Sequence, residues 1–216
     1  MTITSPSADD LRRMMTDQLT AAGALRSEHW IDAFAGVPRH VFVPEFTVRA
    51  QGRIHRYGQE DPTWLAAAYR DTSLLTQFDA TGVATSSSTR PSPMATMLEA
   101  LDVVHGNHVL EIGVGTGYNA ALLAHRLGGD HEADRRDGMA GCAEHAPYDR
   151  LPATCGVGRI PDAWREQVRP GGVIVANVGY GSACLMVDSL GECRPPRRRP
   201  VRPVDRQGRV TPPLAR

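Results

Sequence analysis

Residues 109–128 read VLEIGVGTGYNAALLAHRLG. An apolar run, a turn with glycine at 113, 115 and 117, and a stretch with apolar side chains at helical spacing describe a buried strand, a tight turn and a helix. What the turn holds depends on its spacing. In the dinucleotide fingerprint the last glycine falls three residues after the one before it, where helix packs closely on strand and the helix N-terminus takes a pyrophosphate. Tyr118 stands at that position. A phosphate-cradling loop would instead end in Lys followed by Ser or Thr, and this stretch contains no lysine.

What remains is Glu111-x-Gly113-x-Gly115-x-Gly117, with the acid on the last turn of the strand. That placement suits a ligand with a positive centre beside an amino acid moiety, as in S-adenosylmethionine. The pattern resembles the first motif of the Rossmann-like methyltransferases.

Around this centre the chain reads as one α/β unit. Its 216 residues, 41% hydrophobic and 22% charged, suit a single globular domain with a substantial core. The apolar runs are too short to span a bilayer, and the N-terminus lacks a charged-then-apolar signal pattern, so no membrane partner and a cytoplasmic address are expected. Cys142, Cys155, Cys184 and Cys193 show no metal-ligand spacing; reduced structural thiols and no metal are expected. Net charge is zero, but residues 194–216 hold eight arginines against one aspartate, leaving the body at −7. With six prolines and few large apolar groups, that tail is expected to be disordered. No aromatic residue interleaves its arginines to stack on bases, so nucleic acid is not the expected partner.

Upstream, Ser7 to Asp10 begin a capping-box-like helix, and a second helix from Ser27 buries Trp30, Ile31 and Phe34 on one face. Residues 63–71 suggest a short helix and 73–79 a strand. Ser92-Pro93 predicts a helix start with Ser92 as cap, followed by Met94, Met97, Leu98 and Leu101 on the core face. Downstream, YDRLPATCGV predicts a central parallel strand despite Pro152, PDAWREQV a short helix and VIVANV another buried strand. This alternation is that of a doubly wound sheet. Between residues 128 and 141 no apolar run supplies the expected second strand and its helix. Such folds place an acid for the ribose hydroxyls about 20 residues after the glycine turn; Asp130, Glu132, Asp134 and Asp137 are the loop acids that could replace it.

With the order complete, the chain resembles the protein-L-isoaspartate (D-aspartate) O-methyltransferases over about residues 8–178. The resemblance rests on the N-terminal segment with Phe42-Val43-Pro44, on Ser87-Ser88-Thr89-Arg90-Pro91 where the family carries Thr-Ile-Ser-x-Pro, and on the glycine turn at matching distance. It implies a shortened Rossmann-like α/β methyltransferase sheet with an N-terminal helical segment. The expected division is a helical, substrate-side segment (1–90), a truncated S-adenosylmethionine-binding domain (91–193) and the tail (194–216).

By the same resemblance, Glu111, Gly113, Gly115 and Gly117 would line the methionine and ribose side of S-adenosyl-L-methionine. Asp137 and Gly138 would face the adenine, and Ser87 and Thr89 would stand beside the substrate carboxylate. The implied reaction is carboxyl methylation of isoaspartyl or aspartyl residues in a protein or peptide. It needs no strong base, so His40, His105 and His145 are read as bystanders. The alternative, favoured by the gap at 128–141, is a non-catalytic relative that binds a peptide or protein. The oligomeric state is left open.

Overall fold

The protein is described here by a computed structural model covering residues 5–50, 52–129, 137–179, 181–187 and 192–194. Helix α1 (Ala8–Ala21) starts with the expected box: Ser7 Oγ accepts from the Asp10 amide at 3.2 Å, and the Asp10 carboxylate accepts from the Ser7 amide at 3.1 Å. Helix α2 (Glu28–Gly36) buries Trp30 and Phe34, and a tight turn at Arg39–Phe42 follows.

Residues 45–88 form β1 (Glu45–Ala50), β2 (Arg53–Gly58), α3 (Trp64–Ala68), β3 (Leu74–Phe78) and β4 (Ala84–Ser88). The strands make an antiparallel sheet in the order β2-β1-β3-β4. Helix α3 and strand β3 fall where the spacing predicts them. The other three strands carry no legible pattern: Arg53 to Arg56 are exposed one after another, so β2 has no apolar alternation to read. Val43, Phe46, Trp64, Ala67, Ala68 and Leu74 give this sheet its own small core.

Helix α4 (Pro91–Leu101) buries Met94, Met97, Leu98 and Leu101 as expected, but Ser92 is not its cap. Pro91 already occupies the first turn, Arg90 is the boundary residue, and the Ser92 amide donates to Asp71 Oδ1 at 2.8 Å. A carboxylate from the loop after α3 thus takes a free first-turn amide, that of Ser92 itself, and does the capping expected of the Ser92 side chain.

The second sheet holds β5 (Tyr148–Val157), β6 (Val168–Val178), β7 (Gly181–Val187) and β8 (Cys193–Arg194) in that order, with α6 (Asp162–Gln167) joining β5 to β6. β5 and β6 are parallel; β7 and β8 add antiparallel. β7 arises from GSACLMV and pairs antiparallel with the strand just before it. Residues 109–112 run parallel beside β5 through two bridges, Val109 to Arg150 and Ile112 to Ala153. The Leu110 and Ile112 amides reach the Arg150 and Pro152 carbonyls at 3.1 and 2.9 Å. Pro152 has no amide to return to Leu110, so the ladder breaks into separate bridges.

Helix α5 (Tyr118–Leu127) leaves the glycine turn with left-handed glycines, Gly117 and Gly128, at its two ends. The two faces of β6 separate the main cores by strand alternation. Val173 and Val175 pack with Met15, Trp30, Phe34, Met94, Leu98 and Leu122, while Ile174 and Ala176 pack with Ile112, Leu151 and Trp164 on the other side. Burial on both faces explains why the first four residues of VIVANV are all apolar rather than alternating.

Two expectations fall outside the described residues. The missing second strand bears on 128–141, of which 130–136 are not described, and the disordered tail on 194–216, of which only Arg194 is described and lies in β8. Among the described residues, no backbone hydrogen bond reaches the edge of 109–112 that faces away from β5.

Candidate cofactor and substrate site

Gly113, Gly115 and Gly117 have φ of 81°, 54° and 86°, a region that other residues enter only with strain. Space is also tight at the first of them, where an added Cβ would lie 3.1 Å from the Cys155 side chain on β5. At Gly115 the neighbour is β4: the Ser87 carbonyl and the Ser86 hydroxyl would stand 3.6 and 3.8 Å from an added Cβ. The turn is therefore held between the C-terminal part of β5 and β4, which joins segments far apart in sequence.

Two recesses open there and share Thr116. The inner one, about 20 Å³, is water-sized and is lined by Ser87, Thr89, Gly113, Asn119 and Thr154 among others. The outer groove, about 370 Å³, runs along Phe42, Glu45, Thr76, Gln77, Ser86 and Gly115 and is in the range of small-ligand sites.

Glu111 lies behind the turn. Its Oε1 accepts a 2.7 Å hydrogen bond from Asn119 Nδ2 on α5, while Oε2 is buried with no donor among the described residues. Burial pushes the carboxyl from 4.5 up to about 7 despite the Asn119 bond. Asn119 is only 6% exposed, and its Oδ1 is likewise buried without a donor.

The other wall of the inner recess is the Ser87–Thr89 segment, held from behind by Arg39. This fully buried guanidinium donates to the carbonyls of Ala68, Arg70, Thr72, Ser88 and Thr89. It also lies 5.9 Å from the Tyr118 ring centre. Burial lowers it to about 10, which leaves it charged at neutral pH.

Asp137 and Gly138 sit on the far side of Ile112. Asp137 Oδ1 caps its own short turn through the Met139 amide at 3.0 Å. Gly138 is pressed on Ile112, its added Cβ falling 2.7 Å from Cγ2, and its carbonyl accepts from Trp164 Nε1 at 2.7 Å.

The structure thus gathers Ser87, Thr89 and the glycine turn at one recess, with Glu111 directly behind, and sets Asp137-Gly138 beside the end of the same strand. Asp130, Glu132 and Asp134 lie outside the described residues. Asn119 and Arg39 were not singled out by the spacing. Asn119 sits where a helix-facing polar residue is ordinary, and Arg39 is a lone cation in an apolar run. Among the described residues no cluster of three His, Cys, Asp or Glu side chains could hold a metal, and no helix is long and apolar enough to cross a membrane.

Parallel strands carrying a glycine turn into a helix, with a buried acid behind the turn, define a Rossmann-like α/β protein. The family model for protein-L-isoaspartate(D-aspartate) O-methyltransferase matches residues 10–133 and 133–189, and the chain belongs to that family. A protein-L-isoaspartate O-methyltransferase of Methanosarcina mazei is 30% identical, covering 85% of this chain and 78% of the relative. The corresponding protein 2 of an Anaeromyxobacter species is 31% identical, covering 89% and 80%. A solved protein-L-isoaspartate O-methyltransferase is 26% identical with a TM-score of 0.63; the match covers 82% of this chain and 60% of that one. A Plasmodium falciparum structure described as a putative member in complex with S-adenosyl-L-homocysteine shares the fold at TM-score 0.60 and 10% identity, covering 82% of this chain and 89% of that one.

Proposed function

We propose that the protein is an S-adenosylmethionine-dependent carboxyl O-methyltransferase acting on L-isoaspartyl or aspartyl residues of proteins or peptides, and that it works in the cytoplasm. The observation that carries this reading is the pair of buried oxygens without donors among the described residues, Glu111 Oε2 and Asn119 Oδ1, beside a glycine turn that shares a recess with Ser87 and Thr89. Buried acceptors without donors are costly unless a ligand supplies the donors.

The residues present fit the cofactor. Glu111, Gly113, Gly115 and Gly117 would hold its amino acid and ribose side, and Asp137 and Gly138 its adenine. When bound, S-adenosylmethionine supplies a methyl group already activated by a positive sulfur. The chain's part is to align and to exclude water. Ser87 and Thr89 would hold the acceptor carboxylate by hydrogen bonds, Arg39 fixes the backbone that carries them, and the narrow recess keeps bulk water from the reacting atoms. An ionised carboxylate is already a nucleophile, so no side chain need take a proton.

The test is methyl transfer from radiolabelled S-adenosylmethionine to an isoaspartyl peptide, with the normal aspartyl peptide as control. Incorporation lost in Glu111→Ala supports the reading. A folded protein that binds no S-adenosylmethionine favours the second reading, a peptide- or protein-binding relative without catalysis. That second reading draws on the edge of 109–112 that faces away from β5, which no backbone hydrogen bond reaches among the described residues.

A further inference from the structure

We infer that Asn119 is a ligand-contacting residue that presents its side-chain carbonyl to the α-ammonium of the cofactor, in an orientation fixed by Glu111. The inference rests on the cofactor reading above and deepens it. Three observations meet here. Asn119 lines the inner recess between the glycine turn and the Ser87–Thr89 wall. It is 6% exposed, yet its Oδ1 has no donor among the described residues. Its Nδ2 is occupied by Glu111 Oε1 at 2.7 Å.

The third observation decides what the second means. An amide side chain offers either its oxygen or its nitrogen to a ligand, and a partner at the other end selects which. An ionised carboxylate only accepts, so Glu111 takes the nitrogen and leaves the oxygen for the ligand. The paired arrangement therefore selects a donor, and the unpartnered Glu111 Oε2 behind it favours a positively charged one. The amino acid end of the cofactor carries such a group. A neutral nucleoside lacking that end has no ammonium to offer Asn119.

Protonating Glu111 removes the selection, because a carboxylic acid can donate to the amide as well as accept from it. The other ionisable group interacting with Glu111 among the described residues is the Cys155 thiol on β5, which burial, with a smaller contribution from the Glu111 charge, keeps protonated near neutral pH. The coupling should therefore titrate with Glu111, and ligand affinity should fall as pH drops below about 7.

The experiment is calorimetric titration of the full chain and of the Asn119→Leu and Asn119→Ser variants. The probes are S-adenosylmethionine, S-adenosylhomocysteine and 5′-methylthioadenosine, the last lacking the amino acid end. Thermal melts establish that each variant is folded. Both variants should bind the first two probes about 10- to 100-fold more weakly, as expected for one lost charge-assisted hydrogen bond, and bind methylthioadenosine as the parent does. Lowering the pH from 8 to 6 should weaken S-adenosylmethionine binding in the parent and change that of methylthioadenosine, which lacks the ammonium, little. Equal weakening for all three probes means a structural role and overturns the inference, as does unchanged binding of the first two. If one variant fails to fold, the other decides. If the parent binds none of the probes, the cofactor reading itself falls, a result distinct from failure of the Asn119 assignment.

Discussion

On the β4 wall of the cleft, the Arg39 guanidinium is buried and reaches five backbone carbonyls. On the opposite wall, Glu111 and Asn119 are joined to each other, and each keeps one buried oxygen without a donor among the described residues. Both walls bury polar groups; only one satisfies them. The satisfied wall reads as construction, since Arg39 ties the loop after α3 to the segment bearing Ser87 and Thr89. The unsatisfied wall reads as a binding surface whose donors arrive with the ligand. A buried polar group is thus informative about function in proportion to what it lacks.

That contrast fails or sharpens under substitution. The largest effect is expected at Arg39: Arg39→Met leaves several buried carbonyls without donors and should cost about 3–5 kcal/mol in urea unfolding. A loss under 1 kcal/mol would mean that water replaces the guanidinium and that the wall is not held by it.

Glu111→Gln should act in the opposite direction. A carboxyl raised from 4.5 to about 7 on folding binds its proton more tightly in the native state. Native stability therefore falls as pH rises from about 4.5 to 7 and stays low above it. With the charge removed, the variant should be about 3 kcal/mol more stable than the parent at pH 8, with the advantage vanishing near pH 4.5. Unfolding at both pH values measures this, and a variant less stable at pH 8 would contradict the assignment of Glu111 as a strained binding group.

Within the turn, Gly113→Ala meets both a positive φ and the Cys155 side chain at 3.1 Å, whereas Gly117→Ala meets the same φ problem but only ordinary contact with Phe42 at 3.6 Å. The first should cost about 1–2 kcal/mol and the second about 1. Equal costs would show that β5 yields easily and does not press on the turn. The smallest effect belongs far from the cleft. Ser7→Ala removes the capping box of α1 and should cost about 1 kcal/mol, leaving ligand affinity unchanged.

Local patterns carried much of this molecule. The capping box at Ser7, the apolar stripe of α4, the glycine turn and the two-sided apolar run of β6 each follow from spacing within a few residues. Strands β1, β2 and β4 did not show, because an exposed or short strand lacks the alternation that burial on one face would impose. Ser92 was misread as a cap for a related reason: its role was taken by Asp71, about 20 residues earlier in the chain, and cap geometry cannot register a partner so distant.

The sequence by itself determined the strand, turn and helix at 109–127, the acid behind the turn and the resemblance that goes with them, since each is fixed by local spacing and backbone conformation. Only the tertiary structure decided that Ser87 and Thr89 share a recess with that turn, that Arg39 fixes their backbone, and that Asn119, lining the same recess, keeps a buried oxygen without a donor among the described residues. Those are relations between segments brought together by packing, and the periodicity of one segment carries no record of which others close over it.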